Sequence, residues 1–508
     1  MEKNDELIVK IEDMSETGEG IGHANGLALF VKDAVTGDTV RVGITKVKKN
    51  YCFARTIEIL ESSPLRAEPV CPVARPCGGC QLQQISYEAQ LDFKTAKVKA
   101  CFNRLAGMDV EVRPTLGMTG DMSWENYRNK ASFPIRNDKN VQPAAGFYAG
   151  RTHSIIPTED CAIEFPEHKD ILKTILDFMK EKGISAYAED DESLTKPKGG
   201  RGKRGGGADN GKAKGLVRHV MMRKGFASGE IMVVIVLNGD GFGKDGLEAE
   251  LVNRLKAIKG VTSIQLNINT ENTNVIFGRK FVNLFGPGYI TDSIGDVAFK
   301  ISAPSFYQVN PAQTKVLYNQ ALQAAGLSGR ERVWDLYCGI GTISLFLAKK
   351  AGHVYGVEIV PEAIENAKEN AELNGITNAE FFVGAAEDVV TECYAKDAEK
   401  YSADVVVLDP PRKGADEKLI STILKMAPQK IVYVSCDPAT LARDVKLFAA
   451  GGYDVKLVQP VDMFPMTTGV ETVCLLSNRK PDARVKIDVD LEDYYRIKDE
   501  QKKNKASE

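Results

Sequence analysis

"VWDLYCGIGTISLFLA", Val333 to Ala348, sets an apolar strand-like run against a glycine-rich turn that opens a second, helix-like run. Gly339 and Gly341 let the chain turn tightly and bring backbone close to a ligand. A second strand-like run, "HVYGVE", ends on Glu358 about 20 residues on, the place where an acid reaches ribose hydroxyls in nucleotide folds. The full G-x-G-x-x-G pattern is absent, because Ile343 and Ser344 hold its last positions.

Working outward, the runs "AEFFVG", "ADVVVLDPP", "KIVYVSC" and "VCLLSN" alternate with helical segments from about residue 303. This is the βα rhythm of a doubly wound parallel sheet, so the fold class here is α/β. The turn departs from pyrophosphate binding and suits a nucleoside cofactor without phosphates to cradle, such as S-adenosylmethionine. In "ADVVVLDPPRKG", Asp409 falls at the carboxyl end of a strand, where such folds bind ligands, and Pro410 and Pro411 stiffen the exit.

"VYVSCDPATLARD", Val432 to Asp444, ends another strand on Cys436. Asp437 reads as a helix N-cap and Pro438 as the first helical residue. A thiol beside a helix N-terminus is expected to have a lowered pKa, which favours a nucleophilic thiolate over a packed thiol. For a methyltransferase, a thiolate answers a specific need. Carbon 5 of uracil is a poor nucleophile. A thiolate adding to carbon 6 gives an enolate that attacks the activated methyl, and a base must then take the carbon 5 proton so that the thiol can leave. Glu471, at the start of the strand-like "ETVCLL", is the candidate base.

The front of the chain has a different grain. Residues 5 to 60 alternate apolar and polar positions between glycine turns, as short strands of a small β-barrel do. Arg41, Lys32 and "KVKK" at 46 to 49 offer a phosphate-binding face. The next segment, "CPVARPCGGCQLQ", spaces Cys71, Cys77 and Cys80 as C-x5-C-x2-C, a thiolate set that fits a four-iron cluster or zinc. "KPKGGRGKRGGGADNGKAKG", 196 to 215, is too Gly-rich and polar to bury a core and reads as a disordered basic loop. The composition, 43% hydrophobic and 27% charged, is that of a globular protein of several domains. Ten cysteines are too few for a disulfide scaffold, and five histidines leave little for imidazole zinc chemistry. A charged N-terminus and the lack of an apolar run near the ~18 residues of a span predict a cytoplasmic protein. The net charge of −3 makes any nucleic-acid surface local.

Over nearly its whole length the chain resembles the RNA uracil-C5 methyltransferases, through "SFYQVNPAQT", "DLYCGIGT", "LDPPRKG" and "SCDPATLARD". The resemblance implies that Cys436 is the nucleophile and Glu471 the base. It implies that Gln308, Tyr337, Glu358 and Asp409 hold S-adenosylmethionine, with Asp409 also near the uracil ring. Where the family often has His before the base, this chain has Gly469 and Val470. The front half resembles the 23S ribosomal-RNA branch: residues 1–62 look like a TRAM domain, an RNA-binding barrel. Residues 63–302 look like a central domain whose Cys71, Cys77, Cys80 and Cys161 hold a [4Fe-4S] cluster. Residues 303–482 form the expected methyltransferase domain, with a charged tail at 483–508. The implied partner is 23S ribosomal RNA, presenting a single-stranded or flipped-out uridine; Phe306 and Tyr307, beside Gln308, either stack on a base or pack the core. Neither a membrane nor an obligatory protein partner is expected. A transfer-RNA enzyme of the same family, an iron–sulfur redox enzyme and an RNA-binding assembly factor are the alternatives.

Overall fold

The computed structural model describes residues 1–479 except 121, 139, 151, 153 and 189–214. The basic loop expected at 196–215, save Gly215, and the tail expected at 483–508 lie outside the described residues. The alternating N-terminal segment closes into a five-stranded barrel, in the order Glu6–Met14, Gly20–Ala24, Leu27–Lys32, Tyr51–Glu61, Thr39–Val47. Its core is the inward-facing set Val9, Ile11, Leu29, Val31, Val40, Val42 and Ile44, all at most 2% exposed. Asn25 and Gly26, both at positive φ, make the tight hairpin turn that joins its second and third strands.

The C-terminal sheet has seven strands. In spatial order they are Ala379–Val383, His353–Glu358, Arg332–Leu336, Val405–Leu408, Lys430–Ser435, Glu471–Asn478 and Tyr453–Val461. The first five run parallel, and Glu471–Asn478 enters antiparallel to both its neighbours. Helices cover both faces, so Val333, Leu336, Val405 to Leu408 and Ile431 to Val434 are fully or almost fully buried. The chain order reverses between Arg332–Leu336 and Val405–Leu408, which opens a crevice at their carboxyl ends.

Between barrel and C-terminal sheet lies a second seven-stranded sheet, with Ile231–Leu237 and Val217–Lys224 at its centre and the helices His168–Lys182 and Leu247–Leu255 packed on it. The helix Tyr87–Cys101, which lies between the barrel and this sheet in the chain, packs against the C-terminal unit. Its Val98 and Cys101, with Phe102 and Ala106 just beyond, share one apolar core with Trp334, Leu441 and Phe448 of the C-terminal unit. No helix among the described residues is long and apolar enough to cross a membrane.

Candidate active site

One cleft of about 1050 Å³ opens at the carboxyl ends of the C-terminal strands, and Gln308, Tyr337, Glu358, Asp409, Cys436 and Glu471 all line it. Each reaches it for a local reason. Tyr337 and Gly339 sit at φ 69° and 55°, so the backbone after Arg332–Leu336 doubles back at once. A left-handed tyrosine is strained, and strain of this kind clusters at ligand sites. Glu358 ends the neighbouring strand and steadies the turn: its Oε2 accepts from the Gly339 N–H (3.3 Å) and its Oε1 from the Val360 N–H (3.0 Å). Gln308 is 5% exposed, and its backbone carbonyl accepts from Asn129 Nδ2 (2.9 Å).

The nucleophile and base candidates are neighbours through strand register. Ser435 pairs with Thr472 in the antiparallel ladder, so one further step sets Cys436 beside Glu471. Asp437 is the N-cap that its sequence suggested: its Oδ1 accepts from the N–H groups of Ala439 (2.9 Å) and Thr440 (3.2 Å), and Pro438 follows in the first turn.

The electrostatics differ from the sequence reading. The Cys436 thiol is not lowered but pushed up to about 11, by burial first, then by the Glu471 and Asp409 carboxyls, with Arg412 opposing. Asp437 already uses the free N–H groups of the helix start, so little of that positive end is left for the thiol. Burial and Asp409 hold the Glu471 carboxyl well above its usual range, and Glu471 Oε2 is buried without a partner. Burial raises Asp409 to about 7. In the free protein the cleft therefore keeps its thiol and much of its acid protonated. A ligand carrying positive charge into it would pull these carboxyls toward their charged forms.

Asp335 was not singled out in the sequence. Fully buried on the strand before the turn, it lines the cleft and is raised to about 7 by burial, although Ser344 Oγ donates a short hydrogen bond to it. Phe306 is 67% exposed in the cleft, whereas Tyr307 is 2% exposed and its hydroxyl donates to Asp292 (3.3 Å). Of the two aromatics, only Phe306 is placed to stack on a base. Arg41 departs from the expected phosphate face too: Glu6 and Glu58 hold it at 3.0 and 2.8 Å.

Cys71, Cys77, Cys80 and Cys161 line a second cavity, of about 190 Å³. Gly78 makes the close approach of its loop possible, since a Cβ there would come within 2.9 Å of the Tyr148 carbonyl oxygen. Burial raises the Cys77, Cys80 and Cys161 thiols, and repulsion from the neighbouring cysteines adds to it. No cluster of three or more His, Cys, Asp or Glu side chains that could hold a metal ion is found among the described residues. The four thiols ring a cavity rather than meeting at a point.

The model of the tRNA (Uracil-5-)-methyltransferase family matches residues 247–479, and that of the TRAM domain matches residues 2–57. An uncharacterized RNA methyltransferase of Halalkalibacterium halodurans is 48% identical over 93% of this chain and 97% of its own. The chain belongs to the RNA uracil-C5 methyltransferase family. One of Listeria innocua is 44% identical over 94% and 98%. The crystal structure of the Pyrococcus abyssi tRNA (uracil-54, C5)-methyltransferase with S-adenosyl-L-homocysteine superposes with a TM-score of 0.70. It is 27% identical to this chain and covers 92% of it and 99% of its own. This protein is thus an S-adenosylmethionine-dependent RNA uracil-5 methyltransferase with an N-terminal TRAM barrel.

Proposed function

We propose that this methyltransferase modifies carbon 5 of a uridine in 23S ribosomal RNA, with Cys436 as nucleophile and Glu471 as base. The observation that carries the mechanism is the pairing of Cys436 and Glu471 at one end of the cleft, beside Asp409. S-adenosylmethionine supplies an activated methyl group on a sulfonium cation. Tyr337, Glu358, Gln308 and Asp409 hold it, and the carboxyls of Asp335, Glu358 and Asp409 give that end of the cleft the charge a sulfonium favours.

The chain's own steps follow from the protonation states. Cys436 gives up its proton to solvent, and its thiolate sulfur bonds to carbon 6 of a uracil that has left its stack. The electron pair released onto the ring makes carbon 5 the nucleophile for the methyl group. Glu471, deprotonated once the cationic ligand is in place, takes the carbon 5 proton; the carbon 6–sulfur bond breaks and Cys436 is freed. The raised thiol sets the direction of the pH dependence, with the addition step gaining rate as pH rises above neutrality.

The ribosomal assignment rests on the resemblance of the front half, with its four cysteines, to that branch. By that resemblance those cysteines would hold a [4Fe-4S] cluster: they line one cavity, unpaired by any disulfide, and would have to draw together to ligate it. The cluster organises the central domain. Anaerobically purified protein then carries iron and sulfide with visible absorption, and Cys80→Ala loses both. The solved tRNA enzyme favours a second reading, transfer RNA as substrate. Methyl transfer to unmodified ribosomal RNA and, separately, transfer RNA, with nucleosides identified by mass spectrometry, decides: 5-methyluridine in ribosomal RNA supports the proposal, and in transfer RNA alone it replaces the substrate.

A further inference from the structure

The hairpin between Tyr453–Val461 and Glu471–Asn478 carries Phe464, Thr467, Thr468 and Gly469 along the wall of the cleft. Its backbone takes several hydrogen bonds from outside the hairpin. Lys94 Nζ donates to the Phe464 carbonyl (3.0 Å), the Tyr127 hydroxyl to the Pro465 carbonyl (3.2 Å), and Lys97 Nζ to the Thr468 carbonyl (2.9 Å). The Met466 N–H donates to Gln90 Oε1 (2.9 Å). Gln90, Lys94 and Lys97 follow one another at helical spacing, so one face of the helix Tyr87–Cys101 grips the hairpin.

Lys97 alone of these also lines the cleft and reaches the barrel. Its Nζ lies 3.4 Å from the Glu16 carbonyl oxygen, in the turn between the first two barrel strands. That turn sits directly on the hairpin. Gly18, at φ 88°, lies close against it: a Cβ there would meet Gln81 Cβ at 3.2 Å and Thr468 Cγ2 at 3.3 Å. Glu16 lines the cleft as well.

We propose that Lys97 is a positioning residue: it locks the barrel turn and the catalytic hairpin into a single wall of the cleft, against which the target uracil is set for attack by Cys436. The barrel then does more than tether RNA, because its seat at Glu16 and Gly18 fixes the wall that faces the pyrimidine. This rests on the assignment of Cys436 as nucleophile.

The test measures covalent adduct formation between the full-length protein and RNA in which 5-fluorouridine replaces uridine, with S-adenosylmethionine present, at saturating RNA. RNA affinity and cofactor affinity are measured alongside. Lys97→Met is expected to slow adduct formation about tenfold at saturation while both affinities hold, as a small misplacement of reacting groups does. Lys97→Arg, which keeps a donor, restores most of the rate. Gly18→Ala, which crowds the turn against Gln81 and Thr468 and leaves the Lys97 side chain itself unaltered, slows it likewise. An unchanged saturated rate in Lys97→Met, or a loss confined to RNA affinity, overturns the proposal. Absence of an adduct in the unaltered protein overturns instead the Cys436 reading beneath it.

Discussion

At the scale of single residues, Cys436 shows how a local reading of the chain can miss the sign of an effect. The sequence puts it beside a helix start, which taken alone lowers a thiol's pKa. The structure adds Asp409 and Glu471, residues 27 and 35 positions away, and their carboxyls together with burial raise it to about 11. Cys436→Ala is expected to lower methyl transfer by about 10³-fold or more while cofactor binding survives, measured by single-turnover transfer and by titration with the cofactor. Glu471→Gln should accumulate the RNA–protein adduct, since addition proceeds and elimination stalls; free product released at the unaltered rate would remove Glu471 from the role of base. Asp335 makes a stability prediction. Its carboxyl is raised to about 7 in the fold, so the neutral form is favoured. Its contribution is full below the ordinary carboxylate range and is lost as pH rises through about 7. Asp335→Asn, which keeps an acceptor for Ser344, should therefore stabilise the free protein at pH 8 by about 1–3 kcal/mol and by less at pH 5, as denaturant melts at the two pH values would show.

At the scale of elements, the methyltransferase strands, the glycine turn and the capped start of Pro438–Ala450 are all legible in the sequence. Each is encoded within a few residues: apolar runs between turns, φ-permissive glycines, an Asp-Pro cap. The grip of the helix Tyr87–Cys101 on the catalytic hairpin is not legible, because its partners are some 370 positions apart. The helix shows only a run of basic residues, and nothing local says that Lys94 is fully buried against Asp462. That pair predicts its own signature. Lys94→Met leaves the Asp462 carboxylate buried with only the Tyr87 hydroxyl as side-chain partner (2.8 Å), at a cost of about 3–5 kcal/mol. Combining it with Asp462→Leu should recover much of the loss, as chemical denaturation of the two variants would measure.

At the scale of the whole molecule, the barrel turn, the helix Tyr87–Cys101 and the C-terminal sheet all contribute to the wall of one cleft. The barrel is recognisable from its alternating pattern, but the seats of the barrel and the central sheet against the methyltransferase are not, since the contacts at Gly18, Lys97 and Asn129 join segments far apart in the chain. Arg128 and Thr467 line both the cysteine cavity and the catalytic cleft, so the two spaces share a wall. If the four cysteines hold the proposed cluster, removing its iron with a chelator is expected to lower the melting temperature and to increase hydrogen exchange in the backbone of the hairpin at 464–469.

The most direct test of the central claim is the chemical identity of the adduct. The protein is incubated with S-adenosylmethionine and 5-fluorouridine RNA, digested, and the peptide carrying the nucleotide is sequenced by mass spectrometry. One methylated fluorouridine adduct, on Cys436, is expected. An adduct on another residue, or methylated product released by Cys436→Ala on ordinary RNA, would contradict it.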